Sequence, residues 1–210
     1  MKRSFKDIIE NIYYSFSANF LSLLISLMTF LVVPKMISVT DYGAWQLYNF
    51  YLGFVGFFHF GWIDGIYLRY AGNSYEELDK RLLAGQYYAL AFLELLIGVS
   101  SFCLAINFAA TEYAKNSLMV VSFVGIFVIL TTFTNFILQI TNRIKEYAKL
   151  ISYERLLFFA LTMAYIFLGF KNYLGLLFIS LFVVFLSFLF SVYLIKEIVL
   201  SKVYNLSNIS

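Results

Sequence analysis

The stretch that decides the fold class is "NYLGLLFISLFVVFLSFLFSVYLI", residues 172–195, which contains no Asp, Glu, Lys or Arg. A helix needs about 20 mostly apolar residues to cross the hydrocarbon core of a bilayer, so this run is long enough. Other uncharged runs of the same character occupy residues 11–34, 42–63, 95–111, 116–142 and 156–170. The sequence therefore predicts a protein whose solvent is lipid.

The composition supports this prediction. Hydrophobic residues make up 62% of the 210 residues, charged residues 13%, and the mean hydropathy is +0.83. The apolar runs are continuous and do not alternate with polar residues, so the backbone must be hydrogen-bonded within helices. We predict an all-α integral membrane protein with six transmembrane helices, over residues of about 12–34, 43–68, 82–109, 116–141, 153–170 and 173–195.

The ends of the spans carry further predictions. Residues 4–12 form a short amphipathic lead-in at the membrane surface. Pro34 ends the first span, and Thr40 or Asp41 caps the start of the second. The fifth span gains length from residues 153–155, because a long arginine side chain can snorkel to the interface. Residues 1–210 are interpreted as a single six-helix domain, since no long linker or internal repeat divides them.

Positive charges set the predicted orientation. Twelve of the fifteen Lys and Arg residues fall on one side of the six spans, with both termini. The positive-inside rule places that side in the cytoplasm of a multi-pass protein of the cell membrane. Because these residues are spread over short loops, a nucleic-acid partner is not expected.

Enzymatic chemistry finds no support in the sequence. One cysteine, Cys103, and one histidine, His59, cannot supply a disulfide, a metal-ligand set or a nucleophile with its base. We therefore predict no catalytic site, no metal and no cofactor.

One stretch carries a family resemblance: "VVPKMISVTDYGAWQLYNFYLGFVGFFHFGWIDGIYLRYAG", residues 32–72. It resembles the N-terminal part of polysaccharide flippases of the O-antigen (Wzx-like) type, in the multidrug/oligosaccharidyl-lipid/polysaccharide exporter superfamily. Two pieces carry the resemblance: Asp41-Tyr42-Gly43 after the first span, and the glycine-flanked Asp64 with its basic end at Arg69.

The resemblance implies a MATE-like lobe that moves a lipid-linked sugar, on a carrier of the polyprenyl pyrophosphate type, to the outer leaflet by alternating access. It also implies a partner, because such transporters resemble two six-helix lobes and this chain has one. A second lobe in a longer or split chain, or a homodimer, supplies the other half. Membrane lipids surround it, and glycosyltransferases or a polymerase are further expected partners.

Candidate site residues cluster near the end of the second span. Gly61, Gly65 and Arg69 are spaced by four, so we predict that the two glycines pack closely against another helix. Arg69 is then a pyrophosphate contact, or else a positive-inside anchor. Asp64 is an ionic latch that gates access, or else a helix-end charge. Its expected partners are Lys80, Arg81 and Arg143, and Arg143 is also a candidate for the pyrophosphate.

Two further residues are candidates for coupling. Glu94 lies deep in the third span and should face the bundle interior, as a proton- or cation-coupling site or as a protonated acid bonded between helices. His59 is a possible proton relay, or a histidine bonded to a neighbouring helix. On a continuous helix His59 would lie about 140° from Asp64 and share no face with it.

Two alternatives to a flippase lobe stay open. One is a MATE-like drug or cation antiporter lobe, which the absence of an acid in residues 11–34 disfavours. The other is a non-transporting membrane scaffold for polysaccharide assembly enzymes.

Overall fold

A computed structural model describes residues 5–201, with side chains from residue 9 onward. Every regular element in that range is a helix. The α-helices are α1 (Phe5–Met36), α2 (Val39–Leu52), α3 (Trp62–Tyr70), α4 (Lys80–Phe108), α5 (Glu112–Ile140), α6 (Ile144–Phe167), α7 (Tyr173–Leu194) and α8 (Lys196–Val199), and 3₁₀ helices cover Val55–His59 and Tyr75–Glu77. The predicted all-α class is confirmed for the described residues.

Five of these helices, α1, α4, α5, α6 and α7, are long and apolar enough to cross a membrane. This is typical of a multi-pass membrane protein. The best-predicted bounds belong to α7, where the expected range of 173–195 compares with Tyr173–Leu194. The run is flanked by Lys171 and Lys196, and charge on both sides defines its ends.

The predicted second span, residues 43–68, is not one helix, so the count of six transmembrane helices is not confirmed. It consists of α2, the 3₁₀ helix Val55–His59 and α3. Phe60 and Gly61 adopt left-handed backbone conformations, with φ of 48° and 76°, and these two residues separate the 3₁₀ helix from α3. Glycine inside a helix costs about 1 kcal/mol relative to alanine, and Gly53 and Gly56 precede this break.

The beginning and end of α1 also differ from the predictions. From Phe5 the predicted lead-in is continuous with the first span, and residue 4 lies outside the described residues. Pro34 sits in the last turn, and the helix continues to Met36. The cap of α2 is Ser38, whose Oγ accepts the Asp41 N–H at 3.0 Å, so the expected caps Thr40 and Asp41 lie inside the helix.

Helix α6 begins nine residues earlier than predicted, at Ile144 instead of residue 153. Asn142 takes a left-handed conformation with φ of 62°, which turns the chain sharply out of α5 and directly into α6. The first turns of α6 carry Lys145, Glu146 and Lys149, which suit a polar interface more than lipid. Glu154 and Arg155 therefore lie within the helix and not at its start.

The core is built around α5, which packs against α2, α4 and α7. Among its buried side chains are Phe133, Ile137 and Leu138, each no more than 1% exposed. Helices α4 and α5 approach closely at Gly98 of α4, where a Cβ would lie 2.8 Å from the Ser122 carbonyl oxygen of α5. Small residues allow such contacts between membrane helices.

The bundle has two ends, a basic end and a far end. The basic end holds residues 71–79, 141–143 and 195–201, and the start of α1 joins it because Asn11 Nδ2 donates to Asn142 Oδ1 at 3.0 Å. The far end holds residues 37–38, 109–111 and 168–172. Both extremes of the described chain lie at the basic end.

Candidate functional site

A half-open cavity of about 460 Å³, called the central cavity, lies between α1, α2, α6 and α7 and touches α5 at Val128. Its lining combines aromatic side chains with amides, hydroxyls and two charged groups. Its polar and aromatic members include Trp45, Tyr48, Asn49, Glu154, Arg155 and Ser180. A concave, mostly apolar site with a few convergent polar groups is typical of a ligand site.

Helix α2 supplies the aromatic and amide wall. Trp45, Tyr48 and Asn49 are spaced by three and four residues, so they share one face of the helix. Tyr48 is fully buried, and its hydroxyl forms a 2.6 Å hydrogen bond with Ser180 of α7. This bond fixes the wall against α7, because a buried hydroxyl needs a partner.

Helix α6 supplies the charges. Glu154 and Arg155 are the eleventh and twelfth residues of its 24, which places them roughly 15 Å along the helix axis at a rise of 1.5 Å per residue. Glu154 is bonded to Ser187, seven residues before the end of α7 at Leu194, so both charges lie within the length of the bundle and nearer its basic end. Charged side chains inside a membrane-spanning segment are rare and costly, and they mark functional sites by default.

The two charged residues differ in their partners. Glu154 Oε2 accepts a hydrogen bond of 2.6 Å from the Ser187 hydroxyl of α7. Arg155 is exposed and makes no hydrogen bond or ion pair to any residue between 9 and 201. The cavity thus offers a guanidinium with five donors to whatever enters it.

A second polar region is a groove of about 620 Å³ at the basic end. There Arg143 Nη1 donates to the Leu194 carbonyl oxygen at 3.1 Å and its Nε lies 3.3 Å from Glu146 Oε1. The guanidinium also sits 4.7 Å from the centre of the Tyr75 ring. Burial is the main cause that raises the pKa of the Tyr75 hydroxyl above its ordinary value.

The short helix α8 is held at the same end by an ion pair. Lys80 Nζ donates to Glu197 Oε2, and this hydrogen bond holds the pKa of the Glu197 carboxyl below its ordinary value. Ser201 Oγ donates to the Lys80 carbonyl oxygen at 2.8 Å. These contacts fasten the chain after α7 to the start of α4.

The two arginines predicted to meet a pyrophosphate have no contact partner in common. Arg69 is exposed in the last turn of α3, with its guanidinium 5.6 Å from the centre of the neighbouring Tyr70 ring. The partners of Arg143 are Tyr75, Glu146 and Leu194. Neither arginine lines the central cavity. Their role toward a phosphate stays a prediction.

The prediction that His59 and Asp64 do not face each other is wrong. His59 Nδ1 lies 3.8 Å from Asp64 Oδ2, because the chain between them bends through Phe60 and Gly61 instead of following a helix. His59 Nδ1 also accepts the Gly61 N–H at 3.2 Å. Asp64 therefore has its neighbour on the same short segment, and no ion pair joins it to the expected partners Lys80 or Arg143.

Gly61, which precedes α3, and Gly65 within it do not mediate close packing among the described residues. No atom lies within 4 Å of the position of a Cβ on Gly61 or Gly65. Gly61 instead allows the left-handed backbone conformation at this position, since other residues rarely adopt its φ of 76°. Contact of this face with another chain stays a prediction.

Glu94 faces the interior as expected and is 2% exposed. It lies on the buried stripe of α4 with Leu90 and Gly98, and its Oε1 has no hydrogen-bond partner among the described residues. It does not line the central cavity. Its role in coupling stays a prediction.

Glu154 and Arg155 are not among the predicted site residues, because a span that begins at residue 153 places them at a membrane surface. A signal was present in the length of that span. Residues 153–170 are still fewer than the roughly 20 needed to cross the bilayer, so the helix had to begin earlier, which carries both charges inward.

The chain matches no protein-family model, no curated protein and no solved structure.

Proposed function

We propose that the chain is one lobe of a membrane transporter, a flippase lobe that moves a lipid-linked oligosaccharide or polysaccharide precursor from the cytoplasmic to the outer leaflet by alternating access. The observation that carries the proposal is the central cavity with Glu154 and Arg155, which belong to a helix long and apolar enough to cross a membrane. A lipid-facing scaffold gains nothing from two such charges, whereas a transporter needs a polar site there.

The cavity chemistry suits a sugar phosphate. Asn49 offers an amide to the hydroxyls of a sugar, and the buried Trp45 forms part of the wall beside it. Arg155 has the planar fork that binds phosphate oxygens in pairs. In this proposal Arg69 and Arg143 at the basic end supply the first positive charges that the pyrophosphate meets.

The gating residues follow from the same proposal. Asp64 and His59 act where the chain between α2 and α3 is broken, a place where the backbone can change direction. Glu94 acts as the coupling acid between α4 and α5. The lobe needs no cofactor and catalyses no reaction.

The proposed orientation puts the basic end in the cytoplasm and the protein in the cell membrane, because the Lys and Arg residues concentrate at that end. The partner is a second six-helix lobe or a second copy of the chain. Arg155 is exposed on a helix that is apolar enough to cross a membrane, which supports a partner, since lipid does not solvate a guanidinium. Glycosyltransferases or a polymerase complete the assembly.

The test is a flipping assay in cells that lack the chain and are complemented with variants at matched membrane levels. Lipid-linked sugar should accumulate in the cytoplasmic leaflet without the chain. Arg155→Ala should slow flipping by about tenfold or more, because a hydrogen bond to a charged group contributes about 1.5–3 kcal/mol. Lys149→Ala is the matched control, an exposed cation on the same helix outside the cavity.

The alternatives predict other outcomes in the same cells. Normal export with loss of enzyme assembly indicates the scaffold. Normal export with raised sensitivity to cationic drugs indicates the antiporter. If the Arg155→Ala variant flips substrate at the wild-type rate, the central cavity is not the transport site.

A further inference from the structure

An apolar groove of about 380 Å³ lies between α6 and α7. Glu154 and Ser187 are the polar residues in its lining, and the rest is apolar or aromatic: Leu150, Tyr153, Leu157, Val183, Leu186 and Phe190. The rings of Tyr153 and Phe190, one from each helix, meet edge to face with centroids 6.1 Å apart.

The groove and the central cavity meet at Glu154 and Val183, which line both. From there the groove runs toward the basic end, because Leu150 lies near the start of α6 and Phe190 near the end of α7. The cavity extends the other way, toward Trp45 of α2. A polar and an apolar compartment therefore lie one after the other along the bundle axis.

We infer that the groove holds the apolar chain of the same lipid-linked substrate whose head group occupies the central cavity. The inference rests on the proposed function and adds the place of the chain. The hydrogen-bonded Glu154 and Ser187 stand at the junction, where head group and chain join. At this junction the Glu154 carboxylate faces the polar head group on the cavity side. It therefore avoids the free-energy cost of a charge surrounded by hydrocarbon.

Bulk lipid is the weaker occupant on physical grounds. The bilayer interior is as apolar as the groove, so a free acyl chain gains no hydrophobic free energy by moving into it. A chain tethered to a head group in the cavity is held beside the groove at high effective concentration. The occupant is therefore selected through its head group.

The arrangement also gives a direction. The head group lies toward the far end and the chain toward the basic end. In the proposed orientation the head group points toward the outer surface, as it does in a lipid of the outer leaflet.

The experiment uses the full chain in phosphatidylcholine vesicles with a polyprenyl pyrophosphate oligosaccharide that carries a diazirine in its chain. After illumination, adducts should concentrate on residues 150–157 and 183–190. Leu186→Trp fills the groove and should abolish these adducts. Leu189→Trp is the matched control, because Leu189 is exposed on the same helix outside the groove. Leu157→Trp fills the groove from α6 and should give the same loss of adducts. Agreement between the two filling variants shows that the loss does not come from misfolding of one of them.

Three results overturn the inference: adducts spread evenly over the exposed faces of α1 and α4, groove adducts that survive both filling variants, or equal groove labelling by a phosphatidylcholine with the same diazirine. The proposed function fails separately. If Leu186→Trp abolishes the groove adducts but the wild-type chain flips no substrate, the lipid site is supported and the transport function is refuted. If Arg155→Ala stops flipping but the adducts are spread evenly, the transport function is supported and the groove is refuted as the site of the lipid chain.

Discussion

Replacing Gly98 with alanine perturbs a close contact between α4 and α5. A Cβ at this position would lie 2.8 Å from the Ser122 carbonyl oxygen and 2.9 Å from Ile126 Cδ1. The carbonyl belongs to the α5 backbone, so it moves only if the two helices separate. Gly125 of α5 is the matched control, because its Cβ would meet Val55 at an ordinary 3.5 Å.

The expected magnitude follows from comparing the two variants. Each replaces a helical glycine with alanine, and each gains up to about 1 kcal/mol of helix propensity, so this gain cancels in the difference. What remains is the overpacking at Gly98, which costs about 1–3 kcal/mol when a well-packed contact must expand. We therefore expect Gly98→Ala to be less stable than Gly125→Ala by that amount.

The assay is reversible unfolding in mixed micelles with increasing sodium dodecyl sulfate, followed by helix content. Gly98→Ala should unfold at a lower fraction of dodecyl sulfate than the wild type, and Gly125→Ala at an equal or higher fraction. Equal midpoints for the two variants would refute the close contact between α4 and α5, and with it the burial of Glu94 one turn away.

Other contacts make separate predictions. Tyr48→Phe removes a 2.6 Å hydrogen bond to α7, and in the same titration the free energy of unfolding should fall by about 0.6 kcal/mol, the average for bonds between membrane helices. Asp41→Ala removes the acceptor of the Tyr173 N–H at 3.0 Å, which should cost about 1–3 kcal/mol, whereas Asp41→Asn keeps an oxygen and should cost less. Lys80 lowers the pKa of Glu197, so the contact that fastens α8 is fully present above the ordinary value of 4.5 and is lost as pH falls through the lowered folded-state pKa. Amide hydrogen exchange in α8, corrected for intrinsic rates, should therefore accelerate on acidification, and Glu197→Gln should remove this dependence.

Helix positions could be predicted wherever an apolar run is long and bounded by charge. α4 and α5 were expected over 82–109 and 116–141, and the structure has Lys80–Phe108 and Glu112–Ile140. The burial of Glu94 followed from the same pattern, because a single acid inside a long apolar helix is stabilised by facing protein.

The breaks in the predicted second span could not be predicted from hydropathy. Hydropathy indicates whether a segment prefers lipid or water, but it does not report the backbone conformation. Residues 42–63 are uncharged whether the chain is one helix or three. The left-handed backbone at Phe60 and Gly61 decides the outcome, and it brings His59 and Asp64 to 3.8 Å. An angle calculated for a continuous helix had placed these two side chains on different faces.

The start of α6 decides where the candidate site lies. A span beginning at residue 153 puts Glu154 and Arg155 in interfacial water, where neither needs a ligand. A helix beginning at Ile144 puts both inside the bundle, with Glu154 beside Ser187 of α7, where a charge is costly. The bond from Ser187 offsets part of the cost for Glu154, but no residue between 9 and 201 does so for Arg155. An anion in the central cavity reduces this remaining cost more than any neutral ligand can. The site should therefore prefer a head group that carries both negative charge and hydroxyls, as a sugar pyrophosphate does.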